Sequence, residues 1–288
     1  MHIRLSLRLL GAAFAIGGFA LLNATVITIP GGSNVLVTGI NDSGEMVANY
    51  TDSAGTAHCV AITGSTMVEI VDPNEVGTGP GFGTSCWGIN NSGQIVGSYS
   101  LSVFGNGFAW TGVEYVDIGF PGATAGTTAY GLNNIGQIVG SYADNVGQHG
   151  FVYTVPTASF VTLDVPGAYA SLAIGINDSG VVTFEWVNSS FVFSGALYKA
   201  GHYKILTAPG MVQTKARGIN ANGVVVMNTQ DSAGAWHGFL LHNGTYTEFN
   251  APGSVESYPF GINSSLEIVG GFNPTKKPSV QYGFEIHY

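Results

Sequence analysis

Lysine and arginine are almost missing from this chain: none occurs between Arg8 and Lys199, a span that holds twelve of the seventeen acidic residues. A surface without a basic stripe offers phosphates nothing to pair with, which excludes nucleic-acid binding. Charge of either sign is scarce, at 9% of residues, so Ser, Thr, Asn, Gly and backbone must cover the exterior. Cysteine is limited to Cys59 and Cys86. No second apolar run follows the N-terminal one, and no later stretch keeps a helical period. Nucleophile-elbow, phosphate-loop and dinucleotide-binding patterns are absent, and no His spacing fits a zinc site. Neither a cofactor nor a metal is expected, and no catalytic residue is assigned.

What the chain does have is an N-terminal apolar run, 43 glycines and a repeat. Met1 to Arg8 is basic, Leu9 to Leu22 is uncharged, and small residues follow, the three-part form of a secretory signal cleaved after Ala20 or Ala24. The run falls short of the roughly 20 residues that span a bilayer. Residues 1–24 are therefore expected to be removed and the mature chain to be secreted, whether to periplasm, medium or cell surface, with no membrane span.

Gly39-Ile40-Asn41, Gly88-Ile89-Asn90, Gly131-Leu132-Asn133, Gly175-Ile176-Asn177, Gly218-Ile219-Asn220 and Gly261-Ile262-Asn263 recur at intervals of 49, 43, 44, 43 and 43 residues. Each unit reads as four short runs rich in Val, Ile, Tyr and Phe, separated by turn residues, which is the signature of strands joined by hairpins. The Asn-x-x-Gly after each first run caps a tight turn, with Gly in the positive-φ position. In the sixth unit Leu266 stands where Gly belongs. A period of this length specifies a solenoid or a ring, and the ends decide between them. The last unit stops after its third strand, while an unattached strand, residues 25–31, precedes the first unit. Pairing the two completes every sheet and leaves no open edge. The expected fold is therefore an all-β, six-bladed propeller of four-stranded antiparallel blades, closed by the N-terminal strand pairing in the last blade. One domain covers residues 25–288, with blades near 33–73, 74–121, 122–166, 167–209, 210–252, and 253–288 plus 25–31. The Gly-Ile-Asn strand is expected innermost, because converging blades need small residues near the axis.

The run Gly88 to Tyr99, its copy at Gly131 to Tyr142, and the His149-Gly150-Phe151 and His237-Gly238-Phe239 that follow later strands resemble a bacterial extracellular repeat family named for a His-Ala-Phe (HAF) motif. The resemblance covers residues 25–288. It implies export and a role outside the cytoplasm, and it transfers no activity or site.

Candidate chemistry is thin. His58, His149 and His237 open third strands in separate blades, too far apart to share an ion, and read as polar strand-entry residues. Asp52, Asp144 and Asp231 head tight turns and read as caps for the turns' own N–H groups. Residues 74–85, glycine-rich, form a flexible insertion. Just before each Gly-Ile-Asn stand Thr38, Trp87, Tyr130, Ile174, Arg217 and Phe260. Of these, Trp87, Tyr130, Arg217 and Phe260 are candidates to hold a sugar or peptide at the mouth of the ring, with packing between blades the alternative. Cys59 on a third strand and Cys86 on the next inner strand are expected too far apart to bridge. The leading functional expectation is a monomeric, non-catalytic binding or scaffold module for carbohydrate, another surface polymer or a protein ligand. The alternatives are a polysaccharide lyase or glycoside hydrolase with carboxylates at the mouth, and a structural envelope protein.

Overall fold

The computed structural model describes residues 23–100, 105–276 and 280–288; most of the expected signal lies outside them. In the third repeat, Thr127–Leu132, Gln137–Ala143, Gln148–Thr154 and Ser159–Leu163 pair antiparallel in chain order. The other repeats follow the same plan, and the fold is an all-β propeller. Four sheets have four strands and one has eight, so the separate sheets number five where the repeats led us to expect six. The cause is small: a single parallel pair, Gln148 with Ala170, joins the third repeat to the inner strand of the fourth.

The N-terminal strand Asn23–Ile27 lies antiparallel to the last strand, Tyr282–His287, with Val26 opposite Phe284. Among the described residues the apolar core divides into six clusters, each shared by two neighbouring repeats. One of them joins Ile27, Ile29, Val35, Val37 and Met46 to Val269 of the sixth repeat. Neighbouring sheets therefore stabilise one another face to face, as layered β structures do.

The turn that closes each inner hairpin is built by its Asn. In the first repeat Asn41 Oδ1 accepts from the N–H groups of Ser43 (3.0 Å) and Glu45 (2.9 Å), and Gly44 takes φ +75°. Leu266 holds the same place in the sixth repeat at φ +63°. The strain, on the order of 1 kcal/mol, is offset because Leu266 packs on the cluster containing Ile262, Ile268 and Phe272.

Two expectations are corrected. Cys59 and Cys86 form a disulfide with Cα atoms 5.4 Å apart. Facing sheets place the third strand of one repeat directly over the inner strand of the next, and Asn49 locks that approach by exchanging two 2.8 Å hydrogen bonds with the Cys86 backbone. Closing a loop of 27 residues contributes about 3.5 kcal/mol in the chain-entropy account. That loop contains residues 74–85, which are pinned at both sides instead of loose: Ala57 N–H donates to Phe82 O (2.9 Å) and Val76 N–H to Ser100 O (3.1 Å). At Gly83, φ +110°, a Cβ would stand 1.9 Å from Ala57 O, so only glycine allows this contact.

Candidate functional site

The six Gly-Ile-Asn strands meet around the axis because glycine lets them. A Cβ on Gly131 would stand 2.5 Å from Ile174 O and 3.1 Å from Gly175 Cα; one on Gly261 would stand 3.1 Å from Gly39 Cα. The six Asn side chains then link the strands in series. Asn41 Nδ2 donates to Asn90 O, Asn90 to Asn133 O, Asn133 to Asn177 O, Asn177 to Asn220 O, Asn220 to Asn263 O and Asn263 to Asn41 O, at 2.9–3.3 Å. Each of these amides is buried and is consumed by structure, which leaves it no chemistry to perform.

Above the glycines the axis opens into a cavity of about 380 Å³, within the range that encloses small ligands. Its wall includes all four residues singled out from the sequence: Trp87, Tyr130, Arg217 and Phe260. Trp87 and Tyr130 meet edge to face with centroids 5.6 Å apart, and the Arg217 guanidinium lies 5.0 Å from the centre of the Phe260 ring. Burial raises the Tyr130 phenol above its ordinary 10.0, so it remains a neutral donor. The cavity floor is the ring of Ile40, Ile89, Leu132, Ile176, Ile219 and Ile262. Residues 74–85 take no part in the lining.

Sequence reasoning missed the carboxylate. Glu185, whose side chain is 7% exposed, pairs with Lys215 Nζ at 2.8 Å and Arg217 Nη1 at 2.9 Å. Lys215 in turn stands 3.6 Å from the centre of the Phe193 ring. Charges this poorly solvated hold only when paired, and the triad fixes Arg217 against Phe260. Among the described residues Glu185 is the one carboxylate in the cavity lining, and two cations engage it. This cavity therefore lacks the carboxylate pair that glycoside hydrolysis uses.

The histidines and turn aspartates, read separately from the sequence, come together. His58 lies between Asp52 (3.2 Å) and Glu69 (2.6 Å), His149 between Asp144 (3.4 Å) and Asp164 (2.8 Å), and His237 between Asp231 (3.2 Å) and Glu248 (3.0 Å). Each Asp also caps its turn, as Asp52 Oδ1 does for Ala54 and Thr56 N–H. Backbone and His hydrogen bonds lower Asp52 and Asp231, and backbone bonds with the charge of His149 lower Asp144, all from the ordinary 3.8. Burial alone would lower His58 and His149, but their carboxylate partners outweigh it and raise both above 6.5. The His contribution is complete below about pH 6.5 and is lost as pH rises through the raised values; the Asp contribution is complete above about pH 4 and is lost on acidification. The clusters thus stabilise most between those limits. His149→Gln is expected to lower Tm more at pH 5.5 than at pH 8.5, measured by thermal denaturation; an equal loss at both would show that the imidazolium does not contribute.

No family model and no curated protein sequence matches the chain. Solved structures do. AofleA from Arthrobotrys oligospora superposes with a TM-score of 0.59 at 9% identity, covering 92% of this chain and 86% of that one. The SapL1 lectin in complex with α-methyl fucoside gives 0.56 at 10%, covering 88% and 92%. The Aleuria aurantia lectin, described as a six-bladed β-propeller with a novel fucose recognition mode, gives 0.51 at 10%, covering 90% and 96%. No helix among the described residues is long and apolar enough to cross a membrane. At these identities the likeness establishes that the chain is a β-propeller.

Proposed function

We propose that this chain is an exported, monomeric, non-catalytic six-bladed propeller of the His-Ala-Phe repeat type, closed by its N-terminal strand, that binds a small carbohydrate in its axial cavity. The observation that carries the reading is the cavity wall: three aromatic side chains, Trp87, Tyr130 and Phe260, beside one fixed guanidinium, Arg217. Sugars present apolar C–H faces to aromatic rings and hydroxyl edges to fixed polar groups. Two of the lectins reported above are named for fucose or a fucoside, which supports carbohydrate over peptide. Six blades are supported by the six shared core clusters and by the Asn series that returns from Asn263 to Asn41. Export is supported by the N-terminal apolar run and by a disulfide, which persists in oxidising compartments.

Titration calorimetry of the full chain against a panel of free mono- and disaccharides, α-methyl fucoside among them, tests the reading. At least one is expected to bind, and Trp87→Ala to weaken it by about tenfold or more, the equivalent of roughly 1.4 kcal/mol of lost stacking. A blank panel, or binding that Trp87→Ala leaves untouched, removes the axial cavity as the site.

A further inference from the structure

The turns between second and third strands in the first, fourth and fifth repeats share one construction. In the first, Asp52 Oδ1 accepts from Ala54 and Thr56 N–H, Gly55 N–H donates to Asp52 O, and Gly55 sits at φ +86°; Asp231 and Gly234, φ +85°, repeat it. The fourth repeat keeps every bond, with Asn188 Oδ1 accepting from Ser190 (2.9 Å) and Val192 (3.1 Å) and Phe191 N–H donating to Asn188 O (3.0 Å). The glycine, however, has become Phe191, held at φ +60°. Left-handed backbone is costly for a bulky residue. Leu266 accepts the same cost but packs into a core cluster, whereas Phe191 is 67% exposed. Among the described residues Phe191 belongs to none of the apolar core clusters.

A second aromatic stands beside it. Tyr169 occupies the position of Val212 and Val255 in the following repeats, each donating its N–H to the last residue of its second strand: Val187 O, Gln230 O and Asn273 O at 2.7–2.8 Å. Tyr169 is 63% exposed and meets Phe191 edge to face with centroids 5.3 Å apart. Neither residue lines the axial cavity. No Asp, Glu, Lys or Arg occurs at residues 165–177 or 186–198, and the charged groups that approach them are already paired, Lys215 beside the Phe193 ring with Glu185 and Asp144 of the turn adjoining Tyr169 with His149; Ser189 and Ser190 are exposed within the turn.

We infer that Tyr169 and Phe191 form a second site, a platform on which pyranose rings of a neutral polysaccharide stack. Exposed rings bordered by neutral hydroxyl and amide groups match the alternating C–H faces and hydroxyl edges of a neutral glycan. The lack of any cation in both segments disfavours an acidic one. Two rings are also far too little surface for a protein partner, which buries about 800 Å² a side. The left-handed backbone at Phe191 holds the ring outward from the turn. Unlike the cavity, an open platform accepts interior units of a long chain.

The test is affinity electrophoresis of the full chain in native gels containing hydroxyethylcellulose, galactomannan, xylan or laminarin. Retardation is expected in at least one, with apparent affinity falling about tenfold or more in both Phe191→Gly and Tyr169→Ala. Phe191→Gly is also expected to raise Tm by about 2–4 °C by relieving the turn, so lost retardation cannot be ascribed to unfolding. Saccharide binding in the axial cavity is expected to persist in Phe191→Gly by calorimetry, which separates this site from the axial one. No retardation in any of the four gels, or retardation that both variants retain, overturns the platform and leaves the axial reading standing; loss of both bindings in Phe191→Gly overturns the claim of two sites.

Discussion

A chain lacking residues 25–31 is expected to melt roughly 10–20 °C below the full chain, or not to fold cooperatively at all. These residues contribute most of the strand Asn23–Ile27, whose partner is Tyr282–His287, and they bury Ile27 and Ile29 to 6% and 8% exposure. Two isoleucines at about 1.5–3 kcal/mol each come to roughly 5 kcal/mol, against about 5–15 kcal/mol for a whole domain. At about 2–4 °C per kcal/mol for a domain of this size, the expected fall in Tm follows. The loss spreads, because Val35, Val37, Met46 and Val269 share the cluster that Ile27 and Ile29 complete, and the stripped last strand presents an open edge to other chains. Thermal denaturation by circular dichroism measures the shift, and light scattering the association. Addition of a synthetic peptide covering residues 23–31 is expected to restore part of the lost Tm. An unchanged melting curve would mean that the last sheet stands without its N-terminal strand.

Much of this architecture is visible in the sequence because it depends on short-range chemistry repeated six times. Asn133 and Gly136 specify a turn, alternation specifies which residues face a neighbouring sheet, and Gly131 marks a strand that another backbone must approach. The four cavity residues were visible for the same reason, since they occupy one slot of the repeat. Glu185 was not, yet the signal was present: aligned second strands carry Asn49, Ser98, Ser141, Asn228 and Gly271 at its place, and a lone carboxylate among small neutral residues demands cations, which Lys215 and Arg217 supply. The disulfide was misread because a single repeat contains no information on how far one sheet is offset against the next. Cys59 and Cys86 look distant along the strands but lie opposite each other across the interface. The His clusters were half legible: Asp52 and His58 share a hairpin, but Glu69 joins them only through the pairing of third and fourth strands.

The Asn series around the axis supports the other large effect. Asn133 Oδ1 accepts from Ile135 N–H (3.3 Å) and Gln137 N–H (2.9 Å), while Nδ2 donates to Gln137 Oε1 (2.8 Å) and Asn177 O (3.2 Å). The residue is 3% exposed, so water cannot replace what is lost. Asn133→Ala strands a turn N–H and a carbonyl of the next repeat, each costing about 1–3 kcal/mol when buried and unpaired, and is expected to lower Tm by roughly 6–12 °C. Asn133→Asp keeps the size and the acceptor but points its second oxygen at Asn177 O, where a donor is required. Burial and that carbonyl push the new carboxyl above the ordinary range, so its cost is greatest at neutral pH and shrinks on acidification, when the protonated oxygen again donates. The difference in Tm between wild type and Asn133→Asp is therefore expected to narrow between pH 7.5 and pH 5, while Asn222→Asp, in an exposed turn position, changes little at either. A difference that is small, or independent of pH, would show that the axial amides do not carry the contact between neighbouring repeats, and that the glycine approach alone holds the inner strands together.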